Sequence, residues 1–197
     1  MRYQKKYLGL VILMFALSSI GFAENYDLQH FLTKTSSKES VLSKNERAEL
    51  LSQIEGVMEK TQRVRTKLIQ GIHAGEIEVR YQEGMFWVSK LEADGSSIET
   101  AIQQIKLLRD KPTLLAPSAL LFKSLKDLSE NFNAYNNMPS FSAWVGDLAP
   151  EMELWADPVF FQLYLLPLAR VRDKEAEPKP PQPAQKEKKP ATKVKKP

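Results

Sequence analysis

The chain has 197 residues, of which 43% are hydrophobic and 26% are charged, and its formal net charge at pH 7 is +4. It contains no cysteine, which excludes disulfide bonds, thiol catalysis and metal centres with cysteine ligands. The positive charge is concentrated at the two ends of the sequence, and the long middle part is mildly acidic.

The first 23 residues have the three parts of an export signal. Three basic side chains lie within the first six positions, an apolar run follows over residues 7–22, and Ala23 ends it with a small residue where a signal peptidase cleaves. The apolar run is shorter than the roughly 20 residues that span a bilayer. We therefore expect cleavage near Ala23 and a periplasmic or secreted mature protein without a membrane span. A leader retained as a membrane anchor is the alternative.

The segment that follows the leader, residues 24–42, has little regular pattern. A short apolar cluster between Tyr26 and Leu32 precedes a polar run over residues 33–40. This composition predicts a loosely ordered lead-in to the folded domain.

A clear helical pattern begins at residue 43. Ser43 and Glu46 have the spacing of a capping box, so a helix should begin at Lys44. Apolar and small residues then recur at alternating spacings of four and three as far as Gly71. Gly75 is well placed to end the helix in a left-handed backbone conformation.

The pattern between residues 76 and 111 allows two interpretations. The helical spacing resumes at Ile77 and continues to Ile105, which predicts a second long helix packed antiparallel on the first. Residues 76–82 also alternate strictly between polar and apolar, so a β-hairpin over 76–91 is the alternative. We favour the helix, because an isolated two-stranded hairpin is only marginally stable.

The remaining elements are shorter. Apolar spacing predicts a third helix over residues 118–135, which the sequence at 136–139 should stop. Residues 141–148 should be irregular, with a short turn of helix. The pair Asp157-Pro158 resembles an N-cap and first-turn proline, and predicts a final helix that reaches about Arg172.

The C-terminal segment, residues 174–197, has a different composition from the rest. Eight lysines and six prolines predict an extended, disordered tail, because almost no apolar residue is available for burial. Such a basic tail would suit an anionic component of the cell envelope, or would act only as a solubilising spacer. It lacks aromatic residues on which bases could stack, so no nucleic acid is expected as partner. The basic residues that would make this contact are Lys186, Lys188, Lys189, Lys193, Lys195 and Lys196.

Together these elements predict a mainly α fold, an antiparallel helical bundle of about four helices over residues 43–173. The long apolar helix faces could pack against each other within one chain or between two chains, so a homo-oligomer is also compatible with the sequence.

The sequence contains no recognisable catalytic, metal-binding or cofactor-binding motif. It has no nucleophile elbow and no glycine-rich phosphate loop, and its two histidines, His30 and His73, do not have the spacing of a metal pair. The acidic residues between Asp147 and Asp157 match no calcium loop, and we interpret them as helix-terminal residues.

A cluster of aromatic residues in an irregular, proline-containing segment is the strongest candidate for an interaction surface. Its placement allows two interpretations: the aromatic side chains are buried at one end of the bundle, or they form an exposed apolar surface for a partner. Burial of the Trp144 side chain would distinguish the two. The residues are Phe141, Trp144, Trp155, Phe160, Phe161 and Tyr164.

These observations favour an exported, non-enzymatic protein that binds another protein or an envelope component, through the aromatic end or the basic tail. Two alternatives stay open. One is a periplasmic enzyme whose carboxylates converge only in the folded structure, and the other is a ligand-binding bundle with an apolar cavity.

Overall fold

The computed structural model describes residues 26–37 and 41–176, and this part of the chain contains six helices and no strand. The predicted export signal and residues 177–197 of the predicted tail lie outside the described residues, whereas residues 174–176, predicted as the start of that tail, belong to the last helix. No helix of the described part is long and apolar enough to cross a membrane. The helices are α1 (Leu28–Thr35), α2 (Lys44–Ala74), α3 (Tyr81–Asp110), α4 (Leu115–Asn136), α5 (Pro139–Val145) and α6, which is continuous over 148–176.

The four long helices form an antiparallel bundle. Arg65 of α2 donates to the Leu91 carbonyl of α3, and Glu55, earlier on α2, pairs with Arg109, later on α3. A crossed order also relates α3 to α4, where Trp87 contacts Tyr135 and Lys90 contacts Asn131, and it relates α4 to α6 and α6 to α2. The predicted mainly α fold is confirmed, with α1 and α5 as two short helices added to the bundle.

Helix α2 begins and ends where the sequence predicts. The Ser43 hydroxyl accepts a hydrogen bond from the Glu46 backbone N–H at 3.2 Å, and the Ser43 N–H donates to the Glu46 carboxylate at 2.8 Å. At the other end Gly75 adopts a φ of 73°, which L-residues rarely adopt. Both signals are local, so they act in the same way whatever surrounds the helix.

Alanine substitution of Gly56, within α2, and of Gly75, at its C-terminal end, should change the free energy of unfolding in opposite directions. Gly75→Ala should lower the free energy of unfolding by about 1 kcal/mol, because a Cβ is strained in the left-handed region. Gly56→Ala should raise it by about the same amount, because Gly56 is an exposed helix-interior residue with nothing within 4 Å of an added Cβ. Urea unfolding followed by circular dichroism measures both. Equal effects of the same sign would contradict this account of the α2 terminus.

The connection between α2 and α3 differs from the prediction. Residues 76–80 are not helical, α3 begins only at Tyr81, and the alternative β-hairpin over 76–91 is wrong. The reason is Ile77, which is buried directly over Gly71, where an added Cβ would lie 2.9 Å from its side chain. The backbone N–H groups of Glu76 and Ile77 both donate to the Gly71 carbonyl and hold the turn in place.

Helices α4 and α5 are present as predicted, with different bounds. Helix α4 begins at Leu115, three residues earlier than predicted, and ends at Asn136, one residue later than predicted. The short helical turn expected within 141–148 is α5, which begins at Pro139. Helix α5 packs against α4 and α2 and covers one end of the bundle.

Helix α6 contradicts the predicted start at Asp157-Pro158. The helix begins at Leu148, and both residues lie inside it, in a π-helical stretch over Trp155–Leu165 between the α-helical segments Leu148–Leu154 and Leu166–Ala176. Proline has no N–H and clashes with the carbonyl of the preceding turn of an α-helix, and a π-helical register relieves such a local conflict. The Asp157 carboxylate, which would have capped a new helix, instead accepts from Lys126 at 2.9 Å.

The lead-in also differs from the prediction, because its central part forms helix α1. The Asp27 carboxylate caps this helix by accepting from the His30 backbone N–H at 2.9 Å. Phe31 is fully buried and lies edge-on to Trp155 of α6, with their ring centroids 5.9 Å apart. A contact between residues this distant in sequence leaves no local pattern that could predict it.

Candidate binding surface

Two large apolar side chains are exposed side by side near the beginning of α3. Met85 is 65% exposed and its neighbour Phe86 is 60% exposed. Exposed apolar residues are common singly, but two adjacent ones beside surface grooves indicate a binding surface. Met85 and Phe86 are apolar residues that do not belong to the helical apolar spacing from Ile77 to Ile105. This departure from the spacing is the sequence feature that could have identified them.

Met85 lies in an apolar groove between α2 and α3, which we call the α2–α3 groove. Its volume is about 650 Å³, and one wall comes from the end of α2 and the connection, the other from the first three turns of α3. Gly84 allows the close approach of these walls, because an added Cβ would lie 3.2 Å from the Val79 side chain. The lining residues are Ile72, His73, Val79, Gly84, Met85, Val88, Ser89 and Glu92.

Phe86 faces a second, shallower depression on the other side of α3, lined also by Glu83, Trp87 and Met138. The Phe86 ring lies edge-on to Trp87 at 4.9 Å between centroids. Trp87 in turn lies edge-on to buried aromatic rings of α4 and α5, at 5.8 and 5.7 Å. This chain of rings ties the exposed residue to the core, so its position on the surface is rigidly defined.

The aromatic cluster that the sequence proposed as a partner surface is for the most part inside the protein. The side chains of Phe141, Trp155, Phe160 and Tyr164 are buried, and those of Trp144 and Phe161 are half-buried. Trp144 packs over Gly71 of α2, at 3.6 Å from the position of an added Cβ. The structure thus brings these residues into the core, and what they can offer a partner is limited to the exposed parts of Trp144 and Phe161.

A buried polar cluster lies between α3 and α4. The carboxylate of Asp94, which is 2% exposed, accepts from the Tyr135 hydroxyl at 2.6 Å and from the Asn131 side-chain amide at 2.7 Å. Lys90 donates to the amide oxygen of Asn131. Burial raises the pKa of Asp94, although these hydrogen bonds oppose the shift. Asp94 and Tyr135 are buried and Lys90 and Asn131 are half-buried, and their hydrogen bonds join α3 to α4.

Removing one donor of this cluster should destabilise the protein. Tyr135→Phe should lower the free energy of unfolding by about 2 kcal/mol, because the buried Asp94 carboxylate loses one of its two hydrogen bonds. The matched change Tyr164→Phe should cost about 1 kcal/mol or less, because that hydroxyl donates to a neutral carbonyl, that of Pro112. Chemical denaturation of both variants measures the difference. Equal losses would contradict the importance of the Asp94 charge.

The acidic residues around Trp155 are used in ion pairs between helices. Lys126 of α4 contacts Glu153 at 2.7 Å and Asp157 at 2.9 Å, and Lys60 of α2 contacts Glu151. The hydrogen bond from Lys126 lowers the pKa of Glu153. Within the described residues, no group of three or more histidine, aspartate or glutamate side chains could hold a metal ion.

The described part of the chain therefore has an apolar groove and two exposed apolar side chains, Met85 and Phe86, on its surface. It also has a polar cluster around the buried carboxylate of Asp94. The chain matches no known protein-family model, and no curated protein or solved structure is significantly similar to it.

Proposed function

We propose that the chain is a non-catalytic binding protein that acts outside the cytoplasm and holds a protein partner in the α2–α3 groove. The observation that carries the proposal is the exposure of Met85 in that groove, together with the exposure of Phe86 in the shallower depression on the other side of α3. The proposed location rests on the export signal predicted over residues 1–23.

The enzyme alternative has less support. It requires at least two acidic side chains that share one accessible site. Among the described residues, Asp94 is the acid whose pKa is raised, and it is enclosed by Tyr135 and Asn131. A substrate could not reach this carboxylate without separating α3 from α4.

The ligand-binding alternative places a small molecule in an internal apolar cavity. The α2–α3 groove has apolar walls, but it opens at the surface of the bundle. An open groove whose edge carries exposed large side chains suits a macromolecular partner better than an enclosed small molecule.

Site-specific photocrosslinking tests the proposal. A photoreactive phenylalanine analogue placed at Met85 in the protein expressed in its own cells should yield one discrete crosslinked adduct after irradiation. The same analogue at Leu107 or Leu120, which are 45% and 47% exposed, should not yield that adduct. Mass spectrometry then identifies the crosslinked protein.

A second comparison separates a specific partner from general stickiness. The double variant Met85→Ala, Phe86→Ala should reduce recovery of the identified partner by about tenfold or more, because truncating central apolar anchors costs more than 1 kcal/mol each. Leu107→Ala with Leu120→Ala should leave recovery unchanged. If Met85, Leu107 and Leu120 all crosslink alike, or none of them does, the groove is not the binding surface.

A further inference from the structure

Glutamates lie in and around the α2–α3 groove, and the described part of the chain provides no ion-pair partner for them. Glu78, Glu83 and Glu92 are exposed and line this groove or the adjoining depressions, and Glu76 lies in the same connection. None of these four side chains forms an ion pair or hydrogen bond within the described part of the chain. The one arginine among them is Arg80.

Some carboxylates elsewhere in the bundle are paired, because Glu55, Glu151 and Glu153 each contact a lysine or arginine of a neighbouring helix. Around the groove, four glutamates lie near one arginine, so apolar walls are combined with an excess of negative charge. Complementary charge steers a partner to such a surface and sets its orientation.

The shape of the groove fits a helix. Met85, Ser89 and Glu92 follow one stripe of α3 at helical spacing and extend about 10 Å along its axis, which corresponds to two turns. Ile72 and Val79 form the opposite wall. An amphipathic helix places apolar side chains one turn apart in a groove of this kind, with its polar residues along the rim.

We propose that the occupant of the α2–α3 groove is a cationic amphipathic helix of a partner protein, whose apolar side chains contact Met85 and Val88 and whose lysines or arginines face Glu78, Glu83 and Glu92. This inference rests on the proposed function and adds the chemical class of the partner.

The chain's own basic C-terminal segment is a poorer candidate. Residues 177–197 contain seven lysines and six prolines, and Val194 is their one large apolar residue, so this sequence offers no apolar helical face to the groove. An anionic lipid surface is disfavoured because the acidic rim of the groove would repel it.

Peptide binding tests the inference. The probe is a synthetic fluorescent peptide of about 18 residues, with leucine on one helical face and lysine on the other, and a second peptide carries glutamate in place of lysine. Fluorescence anisotropy with the mature protein, residues 24–197, should show the lysine peptide binding about tenfold or more tightly than the glutamate peptide. Added salt should reduce this difference.

Substitutions locate the interaction. The triple variant Glu78→Gln, Glu83→Gln, Glu92→Gln should weaken binding of the lysine peptide about tenfold, and Met85→Ala with Phe86→Ala should weaken it at least as much. The matched triple variant Glu99→Gln, Asp110→Asn, Glu130→Gln removes three exposed carboxylates elsewhere and should change binding less than twofold. Circular dichroism confirms that each variant is folded.

The outcomes distinguish this inference from the proposed function. If both peptides bind equally and the Met85 and Phe86 variant still abolishes binding, the groove binds a partner but not a cationic one, so only the inference fails. If neither peptide binds, the inference fails and the crosslinking experiment decides the function. If deletion of residues 177–197 raises the affinity for the lysine peptide, the chain's own C-terminal segment occupies the groove. If the protein is a dimer that the Met85→Ala, Phe86→Ala variant dissociates, a second copy of the chain occupies the groove. Either result would overturn the inference.

Discussion

Replacing Phe31 with alanine should lower the free energy of unfolding by about 4 kcal/mol. The Phe31 side chain is fully buried and lies edge-on to Trp155, so its removal leaves a cavity between α1 and the π-helical part of α6. Truncation of a buried phenylalanine to alanine typically costs about 3 to 5 kcal/mol. Helix α1 is only eight residues long and cannot hold itself in place without this anchor.

Urea unfolding measures the loss, and tryptophan fluorescence reports on the position of α1. The emission of the variant should shift to longer wavelength in the folded state, because water then reaches Trp155. Leu28→Ala is the matched control, since Leu28 belongs to the same helix but is only half-buried, and it should cost clearly less. A loss of less than 1 kcal/mol for Phe31→Ala would mean that α1 is not held on the bundle by this contact.

The carboxylate of Glu46 should make stability depend on acid pH. Burial alone would raise the pKa of Glu46, but hydrogen bonds from Lys34, from the backbone and hydroxyl of Ser43 and from His30 outweigh it and lower the pKa to about 2. The ordinary value is 4.5. A native pKa below the unfolded one means that the stabilisation is complete above about pH 4.5 and is lost as the pH falls toward 2. A shift of this size corresponds to at most about 3 kcal/mol.

Glu46→Gln should therefore be less stable than the natural protein by up to about 3 kcal/mol at pH 7, and most of this difference should be lost near pH 2, where about half of the Glu46 carboxylates are protonated in the folded protein. Denaturant titrations at a series of pH values measure the difference directly. Glu59→Gln is a suitable control, because Glu59 is 62% exposed and lies 3.9 Å from Arg63, so the change should stay within 0.5 kcal/mol at every pH. A difference independent of pH would show that the charge of Glu46 is not what stabilises the native state.

These two predictions concern the same junction. Glu46 both completes the capping box of α2 and accepts hydrogen bonds from Lys34 and His30 of α1. Phe31, on a neighbouring part of the α1 surface, contacts Trp155 of α6. A charged contact of Glu46 and an apolar contact of Phe31 thus both hold α1 on the bundle. Loss of either contact should lower the free energy of unfolding, and only the loss at Glu46 should depend on pH.

Local patterns in the sequence were sufficient for the helical class and for several helix ends. The Ser43–Glu46 capping box and the left-handed Gly75 set the bounds of α2, and the residues after Asn136 ended α4. Each of these signals acts between residues three or four apart. Their effect therefore does not depend on the rest of the fold.

The candidate site was less accessible to such reasoning. The sequence drew attention to the aromatic residues around Trp155, which the structure places largely in the core, and it did not single out Met85 and Phe86. Hydrophobic character alone does not tell whether a side chain is buried or exposed, because that depends on which helix covers it.

What the sequence determined by itself was an α-helical chain with defined helix ends, because those features come from backbone hydrogen bonds and apolar spacing within single segments. Only the tertiary structure decided that Ile77 would lie over Gly71, so that α3 begins later in the sequence than predicted. It also decided that Pro158 would lie within a continuous α6. It alone also ordered α1 through Phe31 and left Met85 exposed beside the groove. These outcomes come from contacts between residues far apart in the chain, whose energies exist only when the helices are packed together.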